Sequence, residues 1–496
     1  MNLSTLAVWS AQKNKLTSRK SSQQVTMAED AAPHVLLVCY TGQGNINPML
    51  RFAKRVAAKG LLVTCSASSI VRDKLAAASG VSAGGDGVTV GRGRLRFDFL
   101  DDHLDGPTKL DLHEYLRQLE TGGRLALADL LRRHAEAERP VACVVGNPFL
   151  PWVTDVAADA GVPAAVMWVQ SCAVFSIYFH FAHGLAVFPR EDGGDARLAI
   201  PGLPDLSVAD VPSFLIPSHP YKVFGDMIQD QFRNMGRASW VFVNSFAELE
   251  RDVFAALPGV TPLPPRLIPV GPLVGGQDDG EAVRGDLIKA ADGCVAWLDA
   301  QAPRSVVYAS LGRVVTLSAE AVAEMAHGIA AAGRPFLWVV RPDTRPLLPE
   351  GFLEMVAGRS MVVPWSPQDR VLAHPAVACF LTHCGWNSTL ETVAAGVPVV
   401  AFPQWGDRCM DAKFLVDDLG VGVHLRAPLR REAVREAVDA VTTGPEADAV
   451  RANARSWSAA ARAAVVPGGS SDRHVQAFVD EVSRRARGEQ AEAPAV

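Results

Sequence analysis

Residues 34–40 form an unbroken β-prone apolar run, the pattern of a strand buried on both faces. After the loop TGQGN, residues 46–59 carry Pro48 in their first turns and Gly60 past their end, with Met49, Phe52, Ala53 and Val56 on one face. That punctuation predicts a helix. LLVTCSA then supplies a second buried strand, and strand, helix, strand in so short a span is a βαβ unit. VACVVGN and AAVMWVQ continue the series. The Gly- and acid-rich stretch GPLVGGQDDGEAVRGD interrupts it, and a second series follows in SVVYASLG, PFLWVVRP, SMVVPW, VACFLTH and PVVAF. Ser318 reads as an N-cap for the helix between the first two of these, and Gly333 as its end. The pattern predicts an α/β protein of two doubly wound, Rossmann-like domains facing a cleft. Ligands bind beyond the carboxyl ends of such strands, so the loops after Tyr40, Ser310, Pro364, Thr382 and Phe402 are expected to meet in one crevice.

The expected division is a disordered leader over 1–32, an N-terminal Rossmann-like domain over 33–273, a linker over 274–290, a C-terminal Rossmann-like domain over 291–472, a last helix over 473–487 and a disordered tail over 488–496. A chain of 496 residues is too long for one ordinary core, and 49% apolar against 20% charged residues is the balance of a globular protein. The net charge of -5 provides no basic field for nucleic acid. Eight cysteines are scattered without a CxxC pair, which reads as reduced core thiols in a cytoplasmic protein rather than zinc ligands. No apolar stretch reaches the roughly 20 residues that span a bilayer. The first 26 residues are rich in Ser and Thr and carry Lys13, Lys15, Arg19 and Lys20 without an acid. They read either as a transit peptide or as an extension upstream of a start at Met27. A monomer is the simplest expectation.

The richest chemistry lies between Trp365 and Arg408. A strand ends at Thr382 and a helix opens within HCGWNSTLE, so Gly385 and the first-turn N–H groups make an anion site, with Asn387 and Ser388 as added donors. His383 can donate to a phosphate oxygen, Glu391 can accept from ribose hydroxyls, Trp365 offers a flat face to a base and Asp407 can accept from sugar hydroxyls. Taken singly, each of these has an ordinary structural explanation. GQGNIN lacks the last glycine of a dinucleotide loop, which argues against a dehydrogenase.

Taken together, this 44-residue span resembles the signature of plant family-1, small-molecule UDP-glycosyltransferases, whose two-domain fold is GT-B. CVAWLDAQAPRSVVYASLG and VFVNSFAELE resemble the same family. The resemblance implies that Trp365 stacks on uracil while the backbone of Ser366 reads its edge, and that Gln368 and Glu391 lie at the ribose. It implies that His383, Asn387, Ser388 and Ser310 hold the pyrophosphate, that Trp386 and Asp407 orient the hexose, and that no metal or other cofactor is needed beside the UDP-sugar co-substrate and a small-molecule acceptor.

Four positions depart from the family's pattern. Asn45 stands where the family has a His that removes the acceptor proton, and Asn147 where an Asp orients that His. Neither amide takes a proton near neutral pH. Two readings stay open. A carboxylic acid acceptor, already ionised at pH 7 because its pKa is about 4 to 5, needs no base. Otherwise the chain is a nucleotide-sugar-binding protein with little turnover. WVQSCAVFS and NPFLPW resemble the branch that makes glucose esters of aromatic and hormone acids. Arg408 replaces a Gln that contacts the sugar, and Arg313 a small residue after ASLG. An arginine there can clamp the carboxylate of UDP-glucuronate, pair with Asp407 or the phosphates, or crowd glucose. A neutral hexose, glucose above all, is the expected donor because Asp407 repels an acid.

Overall fold

The computed structural model describes residues 32–79, 84–104, 112–188, 197–216, 222–275, 287–288, 290–312 and 316–489. The leader, most of the linker, Arg313 and residues 490–496 of the tail lie outside them.

The two series of apolar runs form two sheets. Among the described residues the first has eight strands: β1 (His34–Cys39), β2 (Leu62–Ala67), β3 (Val88–Val90), β4 (Gly93–Phe97), β5 (Val141–Gly146), β6 (Ala164–Trp168), β7 (Trp240–Val243) and β8 (Leu267–Pro269). Their order is β3-β4-β2-β1-β5-β6-β7-β8, all parallel except the short β3–β4 pair. The second has six: β9 (Val306–Ser310), β10 (Phe336–Val339), β11 (Met361–Val363), β12 (Val377–Thr382), β13 (Val399–Ala401) and β14 (Gly422–His424), ordered β11-β10-β9-β12-β13-β14 and parallel throughout. In each sheet the order reverses beside the first strand, next to β1 and next to β9. There the flanking loops splay apart and open the cleft.

The helix α1 (Gln43–Ala58) starts three residues before the predicted position, in the turn capped by Gly42. It buries Met49, Phe52, Ala53 and Val56 against the first sheet. Pro48 sits inside this helix. It has no N–H to give the carbonyl of Gly44 four residues back, and that carbonyl instead accepts from Asn387 Nδ2 of the second sheet's unit at 2.7 Å. The helix α2 (Cys172–Ala182) begins at Ser171, whose hydroxyl caps Val174 N–H, and its first amides donate to the buried Glu250 carboxylate at 3.0 and 2.8 Å. Three further helices are α3 (Ala319–Ala331), α4 (Trp386–Ala395) and α5 (Arg408–Lys413). Ser318 caps α3 by accepting from Ala321 N–H, and Gly333 follows it at φ 69°, as the sequence predicts.

The last helix, α6 (Ser470–Ala486), returns to the first sheet. Val475, Phe478, Val479 and Val482 join the core around Phe52 and Phe242, and Lys59 meets Asp472 at 2.6 Å. All eight cysteines are free thiols, seven of them buried.

Candidate active site

One cavity of about 1250 Å³ runs between the carboxyl ends of the two sheets. The loops after Tyr40, Ser310, Pro364, Thr382 and Phe402 all contribute to its wall. Of the residues singled out from sequence, Asn45, Ser310, Trp365, Ser366, Gln368, His383, Trp386, Asn387, Ser388, Glu391, Asp407 and Arg408 line it together. Asn147 lies behind Asn45 at 1% exposure, so it acts on the cavity only through its neighbour.

The expected anion site lies where β12 meets α4. Cys384 holds φ 63°, a left-handed backbone that a side chain seldom adopts, and it turns the chain so that the amides opening α4 face the cleft. No side chain caps this helix, and its first intrahelical bond runs from Thr389 N–H to Gly385 C=O. The amides before Thr389 are therefore free to meet an anion. The His383 ring lies between two glycines. A Cβ on Gly312, at φ 67°, or on Gly385 would come within 2.7 Å of it. Burial, with the Arg408 guanidinium nearby, drives the His383 pKa down to about 3. The imidazole is neutral at pH 7, and the backbone carbonyl of Ser310 takes its one N–H.

Beyond the anion site a polar relay leads to the expected ribose position. Tyr308 OH meets Ser366 Oγ at 2.9 Å and donates to Gln368 Oε1 at 3.3 Å. Gln368 Nε2 donates to Ser388 Oγ and Glu391 Oε2, each at 2.9 Å. The other carboxylate oxygen of Glu391 takes Arg51 Nη1 at 2.9 Å, from α1 of the facing unit. Tyr308 and Arg51 were not singled out from the sequence: a Tyr within a strand reads as core, and Arg51 reads as the polar side of an amphipathic helix.

Where the sugar is expected, Gln170 Nε2 donates to Asp407 Oδ2 at 2.8 Å. The indole N–H of Trp386 is committed to Asn244 C=O at 2.7 Å, so only the backbone N–H of Trp386 is left to donate to a hexose. Arg408 lies 4.3 Å over the Trp405 ring and donates Nη1 to the Trp405 carbonyl at 3.0 Å. Among the described residues no carboxylate lies within ion-pair distance of Arg408, Asp407 included. Trp405 in turn packs against Phe214 and Phe224, and Tyr40 against Phe149 at 5.7 Å, which gives the cavity aromatic walls.

The two amides at the expected base position have a definite polarity. Phe149 N–H donates to Asn147 Oδ1 at 3.0 Å, which fixes that side chain with its NH2 outward. Asn147 Nδ2 then donates to Asn45 Oδ1 at 3.1 Å. Asn45 is left with its own NH2 as the group free to face the cavity. The pair presents a hydrogen-bond donor where a base would present a lone pair.

Facing parallel sheets with an uncapped helix N-terminus, a carboxylate one turn on and an aromatic pocket across the cleft are the arrangement of a nucleotide-sugar-dependent transferase. Residues 288–451 match the family described as UDP-glucoronosyl and UDP-glucosyl transferase. Gallate 1-beta-glucosyltransferase 84A24 of Punica granatum is 44% identical over 474 residues, 92% of this chain and 90% of its own length. Cinnamate beta-D-glucosyltransferase of Fragaria ananassa is 43% identical over 472 residues, 92% of this chain and 84% of its own. The crystal structure of Os79 from O. sativa in complex with UDP superposes with a TM-score of 0.80 at 33% identity, over 90% of this chain and 100% of that one. The chain belongs to the plant family-1 UDP-glycosyltransferases.

Proposed function

We propose that the protein transfers glucose from UDP-glucose to the carboxylate of a small aromatic acid, with inversion at the anomeric carbon. The observation that carries this reading is the direction of the Asn147–Asn45 bond, which turns two N–H donors of Asn45 toward the acceptor. A carboxylate is an acceptor-only group and pairs with a donor, whereas a phenol needs its proton removed, and nothing at this position removes it. An oxygen of the ionised acid attacks C1 of glucose as the C1–O bond to UDP breaks. UDP leaves with the bonding electrons, and no proton has to move. Asn45 holds the other carboxylate oxygen.

The charge that develops on UDP is met by the first amides of α4. The names of the relatives that act on gallate and cinnamate support an aromatic acid, and so do the aromatic walls. Glucose is favoured over glucuronate because Asp407, not paired with Arg408, would face a second carboxylate, while Arg408 is turned onto Trp405.

The test is UDP release from UDP-glucose and from UDP-glucuronate, corrected for hydrolysis, with hydroxybenzoic and cinnamic acids against matched phenols lacking the carboxyl group. Turnover with UDP-glucose and the acids alone is the expected result. Equal turnover with the phenols, or UDP binding by calorimetry with no transfer to any acid, overturns the proposal.

A further inference from the structure

The donor site is not built from one domain. The first-turn carbonyl of α1 at Gly44 takes Asn387 of α4, and two helical turns further along α1 Arg51 takes Glu391 of the same helix. Glu391 is 8% exposed. A carboxylate held at that depth is costly unless its charge is met, and among the described residues Arg51 is the cation that meets it. Arg51 Nη1 also donates to Leu273 C=O at 3.1 Å, and Arg55, one turn on, donates to Val270 and Pro272 C=O at 2.9 and 2.7 Å. The guanidinium is thereby held by the segment leaving β8, so it is a fixed partner for Glu391 rather than a mobile one.

We propose that Arg51 is a positioning residue of the donor site, holding the Glu391 carboxylate from the opposite domain in the orientation that reads the ribose hydroxyls of the uridine nucleotide. The proposal rests on the reading of the cleft as a UDP-sugar site. Each oxygen of Glu391 has one protein donor, Arg51 on Oε1 and Gln368 on Oε2, and each keeps a second lone pair. A ribose hydroxyl can therefore bind without displacing Arg51. The same helix carries Asn45 in its first turn. Occupation of the ribose site thus braces the helix that positions the acceptor, and the contact at Gly44 depends on Pro48 leaving that carbonyl free.

The full chain is titrated calorimetrically with UDP, 2′-deoxy-UDP and 3′-deoxy-UDP, as wild type, Arg51→Met and Arg51→Lys, with melting temperatures recorded for each. The wild type is expected to bind UDP at least about tenfold more tightly than one of the deoxy analogues. Arg51→Met is expected to weaken UDP by about tenfold to a hundredfold, the range of one hydrogen bond to a charged group, and to bring UDP and the deoxy analogues within about threefold of each other. Arg51→Lys, which keeps the charge but not the planar fork, is expected to restore part of the discrimination. Three results overturn the proposal: loss of affinity for UDP and the deoxy analogues in equal proportion, which is what a merely structural role gives; tighter UDP binding by Arg51→Met, which would make Arg51 a competitor of ribose; or no discrimination in the wild type. Failure of the wild type to bind UDP at all sinks the donor-site reading itself, and is told apart from these by the wild-type titration alone.

Discussion

Installing a histidine at position 45 is the obvious way to give this cleft a base, and the geometry says that the single change is insufficient. Asn147 Oδ1 is occupied by Phe149 N–H, so Asn147 turns its NH2 toward residue 45. A histidine there receives that N–H on one ring nitrogen, which forces its own proton onto the other, the one facing the acceptor. The imidazole is then in the tautomer that donates, and the wrong tautomer in a hydrolytic triad costs on the order of 10⁴ in rate. Flipping Asn147 to correct it breaks the Phe149 bond and sets two donors against each other, at about 1–3 kcal/mol, or about 5- to 150-fold. Aspartate at 147 keeps the Phe149 bond with one oxygen and presents the other as an acceptor. Asn45→His/Asn147→Asp is therefore expected to raise kcat/KM for phenols by about 10²–10⁴, the worth of a positioned general base. Asn45→His alone stays at least about fivefold below the double variant. Transfer to the aromatic acid, which needs no base, is not expected to gain from either. The assay is initial rates of UDP release from UDP-glucose with a matched phenol and acid. A single variant as active on phenols as the double one refutes the assigned direction of the amide pair.

Two further outcomes follow from the geometry. Gly312→Ala places a methyl 2.7 Å from the His383 ring at a left-handed φ, and is expected to weaken UDP at least tenfold by calorimetry. Gly358→Ala, also at positive φ but with no atom within 4 Å, is the control that bears the backbone strain alone and keeps its affinity. Asp411, buried beside Asp407 and Glu250, has its pKa raised well above 3.8, burial being the chief cause. As pH rises above 3.8 the unfolded chain gives up this proton while the folded protein keeps it, so folding loses about 1.4 kcal/mol per pH unit from this group until its raised pKa is passed. Asp411→Asn removes that term. Its melting temperature relative to the wild type is expected to climb as pH rises above 3.8 until that raised pKa is passed, and parallel profiles would exclude the assignment.

The two sheets were legible because parallel strands covered on both faces read as plain apolar runs, and the strand-to-helix turn at Thr382–Gly385 because glycine and polar residues mark it. The cap at Ser318 was legible for the same local reason. What escaped were bonds between residues far apart in the chain: Arg51 with Glu391, Gln170 with Asp407, Trp386 with Asn244. No local periodicity encodes such partners, and a helix arginine looks alike whether it faces water or a carboxylate. The pairing of Asn45 with Asn147 was suggested by resemblance, but its polarity depends on the backbone N–H of Phe149, which composition cannot reveal. The early start of α1 escaped because TGQGN reads as a loop, whereas the structure closes a turn between Asn45 N–H and Gly42 C=O at 2.9 Å.

The last helix has a consequence for how the molecule comes into being. α6 lays Val475, Phe478, Val479 and Val482 on the first sheet, clasps Lys59 through Asp472 and reaches the carbonyls of Pro269 and Gly271 through His474 and Ser471. A nascent chain that has emerged through β8 holds every strand of that sheet and still lacks one wall of its core. The N-terminal unit, made first, must wait with Phe52 and Phe242 uncovered while some two hundred residues of its neighbour are synthesised. The helix that closes the first sheet is made after the second unit, and among the described residues the chain passes between the two units twice, so they are tied as a book is by two stitches.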